Sequence, residues 1–192
     1  MHLKTEEDII LLVKKDKWMM DILKAARTLY LPDWWICAGF VRSKIWDTLH
    51  GFQERTMMAD IDVIYFDDQF TEKLEEKKWE KKLRSIVPDI PWSVKNQARM
   101  HIINYLPPYT CSVDAISKFP ETATALGLQL DREDNVILTA PCGINDVINL
   151  VLKPTPFFKD NKQLAKIYKE RIRKKNWKSI WNNLIIHPFD ID

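Results

Sequence analysis

Apolar positions change their period several times along this chain, and each change marks an element. Residues 9–13 are apolar behind Thr5 and Asp8, a pair spaced as a capping box with Asp in place of the usual Glu. Apolar residues resume at Trp18, Met19, Ile22, Leu23, Ala26 and Leu29, near the helical period. The charged break at 14–17 either separates two helices or forms one solvated turn. N-terminal helices are therefore expected over about 5–31, before Pro32. Residues 34–38 read as a short buried strand, Gly39 as its turn, and 41–49 as a helix closed by His50 and Gly51. A polar loop leads to a strand over 61–66. A charged helix over about 71–86 follows, with Leu74, Trp79, Leu83 and Ile86 as its inner stripe.

Pro88 and Pro91 bracket a turn, after which residues 92–102 alternate apolar and polar, the period of a half-buried strand. Beyond the proline-rich loop at 106–109, Ser112 is placed to cap a short helix running to Ile116. Residues 122–130 and 136–140 read as two strands joined by the polar turn 131–135, and 144–152 as a helix. After Pro154 and Pro156 a basic helix is expected over about 161–184. Its inner stripe would be Leu164, Ile167, Tyr168, Ile172, Trp177, Ile180 and Trp181. Strands and helices intermix, so the expected fold class is α+β (mixed α/β), a mixed sheet covered by helices in one domain over 1–192.

Composition narrows the function classes. A hydrophobic share of 46% and a charged share of 29% over 192 residues describe a soluble globular chain with a sizeable core. A net charge of +2 does not by itself imply a nucleic-acid partner. The cysteines Cys37, Cys111 and Cys142 form no CxxC pair, which argues against a zinc site or a disulfide framework. The N-terminus carries no signal-peptide pattern, and the longest apolar run is too short to cross a membrane. A cytoplasmic location without a membrane partner is the expectation.

The chemistry concentrates at two places. Asp60 and Asp62 lie two apart on a strand, so their carboxylates share a face about 7 Å apart while Ile61 and Val63 point to the core. Two such anions either sit solvated at the start of the strand or hold a cation between them, for which Mg²⁺ is suited. Gly39, between a strand and a helix, is either a plain tight turn or a place where backbone N–H groups approach a phosphate. Arg42 follows on the first helical turn, placed for phosphate or for a salt bridge with Asp47.

In this order and spacing, the Ala38-Gly39-Phe40-Val41-Arg42 run and Asp60-Ile61-Asp62-Val63 resemble the signature of the DNA polymerase beta-type nucleotidyltransferase superfamily. The glycine run is similar to the head of CCA-adding enzymes and poly(A) polymerases. Segments spread from Trp34 to Pro156, including Val94-Lys95-Asn96-Gln97-Ala98-Arg99-Met100-His101 and Ala140-Pro141-Cys142-Gly143, resemble bacterial stand-alone nucleotidyltransferase-like proteins. The resemblance implies a nucleotidyltransferase-like mixed sheet, with Asp60 and Asp62 as catalytic metal ligands for Mg²⁺ or Mn²⁺. It implies that Gly39, Phe40, Arg42 and Ser43 seat the NTP substrate.

Two departures accompany it. Phe40 is bulky where the superfamily has a small residue, which would narrow the phosphate loop. The third carboxylate, expected on a neighbouring strand, reads as Asn96, with Glu121 as the alternative supplier. Lys95, Gln97, Arg99 and His101 form a polar stripe, read either as a solvent-facing strand edge or as contacts to phosphate or acceptor. The basic terminal helix is read either as a solvated face or as a surface for an RNA acceptor. The expected function is Mg-dependent transfer of a nucleotidyl group from an NTP to a hydroxyl acceptor, whether small molecule, RNA or protein. The alternative is a nucleotide-binding sensor with little or no catalysis.

Overall fold

A computed structural model describes residues 3–103 and 106–189. Thr5 and Asp8 close the capping box reciprocally at the start of α1 (Glu6–Lys14), and Asp16 caps α2 (Lys17–Arg27), so the charged break does separate two helices. Next come β1 (Trp35–Cys37), α3 (Gly39–Leu49), β2 (Ile61–Tyr65), α4 (Lys73–Ile86) and β3 (Trp92–Asn96). The chain continues through α5 (Gln97–Ile103), α6 (Ser112–Ser117), β4 (Gly127–Leu130) and β5 (Val136–Thr139). It ends with α7 (Asn145–Ile148), β6 (Val151–Leu152), α8 (Pro156–Lys159), α9 (Ala165–Lys175) and β7 (Ile185–Ile186).

Five strands form one mixed sheet in the order β3-β2-β1-β4-β5, with β2 and β3 parallel and the other neighbours antiparallel. Short β6 and β7 pair separately. One face carries Ile36, Ile61, Val63, Tyr65, Val94 and Leu128 into the main core with α1–α4. The opposite face carries Trp35, Cys37 and Ile64 against Ile116 of α6. Among the described residues, no helix is long and apolar enough to cross a membrane.

The antiparallel register of β1 and β2 positions the site. Trp35 faces Ile64 and Ile36 faces Val63, which carries Cys37 to the level of Asp62. The end of β1, and with it the start of α3, therefore meets the first residues of β2.

Several expected elements are shorter than the apolar pattern suggests. The strand from Trp92 stops at Asn96, because the Asn96 side chain turns the chain. Its Oδ1 accepts from Asp67 N and from Ala98 N, both at 3.1 Å, and its Nδ2 donates to Asp67 O and Phe70 O. Such local side-chain bonds compete with a strand ladder. Residues 122–124 form a 3₁₀ turn rather than strand, held by Thr124 Oγ1 bonds to the Glu121 carbonyl and carboxylate. The expected helix over 144–152 ends at Ile148, and Leu150 takes a positive φ of 59° before β6. The basic helix ends at Lys175, where Asn176 is left-handed, and a 3₁₀ turn at Trp177–Ser179 follows. Cys111, not Ser112, caps α6.

On α4 the inner face is partly acidic. Leu74 and Ile86 are exposed, whereas Glu76 and Glu80 are buried against β3. β3 is an edge strand whose outward N–H groups need acceptors. Glu80 Oε1 accepts from Val94 N at 3.2 Å, and Glu76 Oε1 from Asn96 N at 2.8 Å. Arg99 completes the arrangement by pairing with both Glu76 oxygens at 2.8 and 2.5 Å.

Candidate active site

Backbone strain sits at the β1–α3 junction. Ala38, not Gly39, takes the positive φ, at 53° with ψ −112°, and Gly39 is the first residue of α3. A non-glycine residue in that region costs on the order of 1–3 kcal/mol, and such outliers gather at functional sites. The Ala38 cap makes no side-chain hydrogen bond. Val41 N and Arg42 N both donate to the Ala38 carbonyl, at 3.2 and 2.9 Å, which leaves the N–H groups of Gly39 and Phe40 at the positive end of the helix without a side-chain cap. A Cβ on Gly39 would meet only Arg42 Nη2, at 3.6 Å, an ordinary contact. The packing around the β1–α3 junction therefore does not require glycine at this position.

Asp60 is exposed at the start of β2 and Asp62 is half-buried within it. Both line one cavity of about 230 Å³ with Gly39, Arg42 and Ser43. Among the described residues neither carboxylate is in an ion pair. Burial pushes the Asp62 carboxyl up from its ordinary value, the Asp60 charge pushes it further, and a hydrogen bond from Ser93 opposes them. Two adjacent carboxylates outside any ion pair form a donor set that suits a hard divalent cation. No group of three His, Cys, Asp or Glu side chains able to hold a metal occurs among the described residues.

Arg42 is buried, with its guanidinium 4.6 Å from the ring centre of Trp177, 5.1 Å from Trp46 and 5.7 Å from Trp181. Burial lowers it to about 10, countered chiefly by Glu121, so it stays cationic at neutral pH. Its Nε is buried with no hydrogen-bond partner, and Nη2 donates to Ser43 Oγ at 3.3 Å. The expected Arg42–Asp47 bridge is not formed. Asp47 instead accepts from Trp181 Nε1 at 2.9 Å and from Thr56 N and Oγ1 at 2.9 and 2.6 Å. That carboxylate ties the chain after α9, and the 56–60 loop, to α3.

The other sequence candidates divide. Phe40 points into the core beside Trp18, with ring centres 5.9 Å apart, so its bulk does not narrow the cavity beside Gly39. Asn96 pairs in register with Tyr65 on the core face, opposite to Asp62, which disqualifies it as the group beside the aspartates. Ser93 and Lys95 are the β3 residues on the Asp62 side. Lys95 and Gln97 line a second cavity that also touches Asp62. Arg99 is spent on Glu76, and His101 lies on α5 with its ring 6.2 Å from Tyr109. Glu121 is fully buried and bonded to Arg171 Nε at 2.7 Å.

Sequence reasoning missed the far wall. Arg171 and Lys175, one turn apart on α9, and Trp177 and Trp181 beyond it line the cavity with the aspartates. The i,i+4 spacing of Arg171 and Lys175 and the repeat of Trp177 and Trp181 were the available signals.

Comparison with known proteins identifies the class. The chain belongs to a nucleotidyltransferase family, whose model matches residues 24–186. It is similar, at 40% identity and TM-score 0.87 over 97% of both chains, to a protein whose NMR structure was described as revealing a CCA-adding enzyme head domain. It shares its fold with a Thermotoga maritima CCA-adding enzyme complexed with tRNA, at 13% identity and TM-score 0.54 over 96% of this chain. A CCA-adding enzyme in complex with CTP gives 15% identity and TM-score 0.51 over 93% of this chain. The chain corresponds to 42% and 41% of the length of those two enzymes. No curated protein matches it.

Proposed function

We propose that this chain transfers a nucleotidyl group from an NTP to a hydroxyl acceptor, with Mg²⁺ or Mn²⁺. The observation that carries the reading is the meeting of Asp60 and Asp62 with the uncapped first turn of α3 and with two guanidiniums in one cavity. A bound divalent ion would be held by Asp60 and Asp62 and would neutralise charge on the phosphates. Gly39 leaves room for the triphosphate at the helix N-terminus. Arg42 and Arg171 offset the charge that builds on the leaving pyrophosphate. The tryptophan cage fixes Arg42 and keeps water from its guanidinium, which strengthens its field.

One observation favours a second reading, a nucleotide-binding module that turns over little. The other candidate for a third acid, Glu121, is engaged by Arg171 and Thr124. Titration with Mg-ATP separates these readings from a structural remnant. Asp60→Ala and Asp62→Ala are expected to lose Mg-dependent binding without unfolding. Equal affinity in both variants, at matched thermal stability, would reject a metal-nucleotide site.

A further inference from the structure

Asp62 stands between two cavities. The first, described above, carries Gly39, Arg42 and Arg171; the second, also of about 230 Å³, lies toward α5 and α6, and among the described residues Asp62 is the one lining residue they share. Displacement at phosphorus places the attacking and leaving oxygens roughly in line, on opposite sides. If pyrophosphate departs into the guanidinium-lined cavity, the attacking hydroxyl arrives from the other. The second cavity thus has the place of an acceptor subsite, an inference that rests on the nucleotidyl-transfer reading.

Its walls describe the acceptor. Ile64, Met100, Phe119 and Phe158 provide apolar surface, so the body of the ligand is apolar. The volume lies below the ~300–1,000 Å³ usual for drug-sized ligands, which limits the occupant to about one ring. Positive charge comes from Lys95 and Lys118. Lys118 is anchored by Asp114 at 2.7 and 2.8 Å, with its ammonium 5.2 Å from the Tyr109 ring centre. Lys95 Nζ is held by the Val94 carbonyl at 3.1 Å and by Glu80 at 3.4 Å. Each ammonium is held in place by a carboxylate that offsets part of its charge, so an incoming acid group competes with Asp114 for Lys118.

We propose that the acceptor is a small aromatic hydroxy acid, with its ring on the apolar wall, its acid group toward Lys118 and its hydroxyl toward Asp62. In the transfer, the hydroxyl oxygen forms a bond to the α-phosphorus. The bond from that phosphorus to the α,β-bridging oxygen breaks, and pyrophosphate leaves with the electron pair. The hydroxyl proton passes to water at the cavity mouth. No oxidation or reduction occurs.

The test uses the full chain with Mg²⁺ and a non-hydrolysable ATP analogue, and ligand-observed NMR with 4-hydroxybenzoate, 4-hydroxyphenylpropionate and the neutral 4-hydroxybenzamide. The acids are expected to bind saturably and about tenfold more tightly than the amide. Lys118→Gln should abolish that preference, and Lys95→Gln should weaken it; a merely structural role for either lysine would lower all three affinities together. Acids and amide binding alike, or no saturable binding while the ATP analogue still binds through Asp62, would overturn the acceptor assignment. So would transfer of label from α-labelled ATP to an RNA 3′ end but not to the acids. Failure of the ATP analogue to bind would instead overturn the nucleotidyl-transfer reading, and the acceptor role with it.

Discussion

Arg171 Nε donates to Glu121 Oε1 at 2.7 Å, joining α9 to the turn before β4. Glu121 is fully buried and also accepts from Thr124 Oγ1 at 2.8 Å. Arg171 and Arg42 both lie against the Trp177 ring, at 5.6 and 4.6 Å from its centre. Two guanidiniums share one wall because a buried carboxylate and an aromatic face offset their repulsion. Removing Arg171 leaves Glu121 as an unpaired buried charge. Arg171→Met is expected to destabilise the chain by about 3 kcal/mol, and adding Glu121→Gln should restore part of that loss. Urea unfolding of the two single variants and the double variant checks this; strict additivity would show that the pair is not coupled.

Gly39 separates fold from function. Alanine there meets only Arg42 Nη2 at 3.6 Å, and α3 begins at this residue with no positive φ. Gly39→Ala should leave stability within about 1 kcal/mol of the parent, because helix propensity favours alanine. Mg-ATP affinity should fall at least tenfold, as the methyl group fills the phosphate approach. Isothermal titration beside thermal melts measures both; loss of stability with unchanged affinity would contradict the assignment.

Asp62 gives a pH dependence of stated sign. Its carboxyl is raised by burial and by Asp60, so the folded chain holds this proton more tightly than the unfolded chain. Between the ordinary carboxylate value and the raised one, the native state binds more protons, and stability falls as pH rises through that window. Asp62→Asn removes the penalty. Without metal, the variant should melt higher than the parent at neutral pH, and the gap should close as the pH drops below about 4, where the Asp62 carboxyl is protonated in the folded and the unfolded chain alike. Adding Mg²⁺ should raise the melting temperature of the parent and not of the variant. A variant that melts lower at neutral pH would show that Asp62 is needed for the fold.

The parts legible in the sequence were those set by local period. The Thr5–Asp8 box and the alternation through Asp60 and Asp62 depend on neighbours a few residues away, whereas the turn expected at Gly39 falls one residue earlier, at Ala38. Asn96 and Asp62 both lie on strands, and the parity of their register decides their relation. Position 96 pairs with 65, so its side chain faces away from Asp62. Alternation past Asn96 continued without a ladder to support it, since the side chain of Asn96 had ended the strand. The acidic inner face of α4 defied the apolar pattern because Glu76 and Glu80 serve an edge strand distant in sequence. Arg171 looked like one more charge on a basic helix, and only the tertiary fold brings it to Glu121 and the aspartates.

The central claim is that the site built by Gly39, Asp60 and Asp62 completes nucleotidyl transfer. Its most direct test incubates the protein with α-labelled NTPs, Mg²⁺ or Mn²⁺ and a pool of hydroxyl acceptors, and follows label leaving the NTP. The account predicts metal-dependent label on an acceptor, lost in Asp60→Ala and Asp62→Ala variants that remain folded. Transfer at the parent rate in both variants, or no transfer by a parent that binds Mg-NTP, would contradict it.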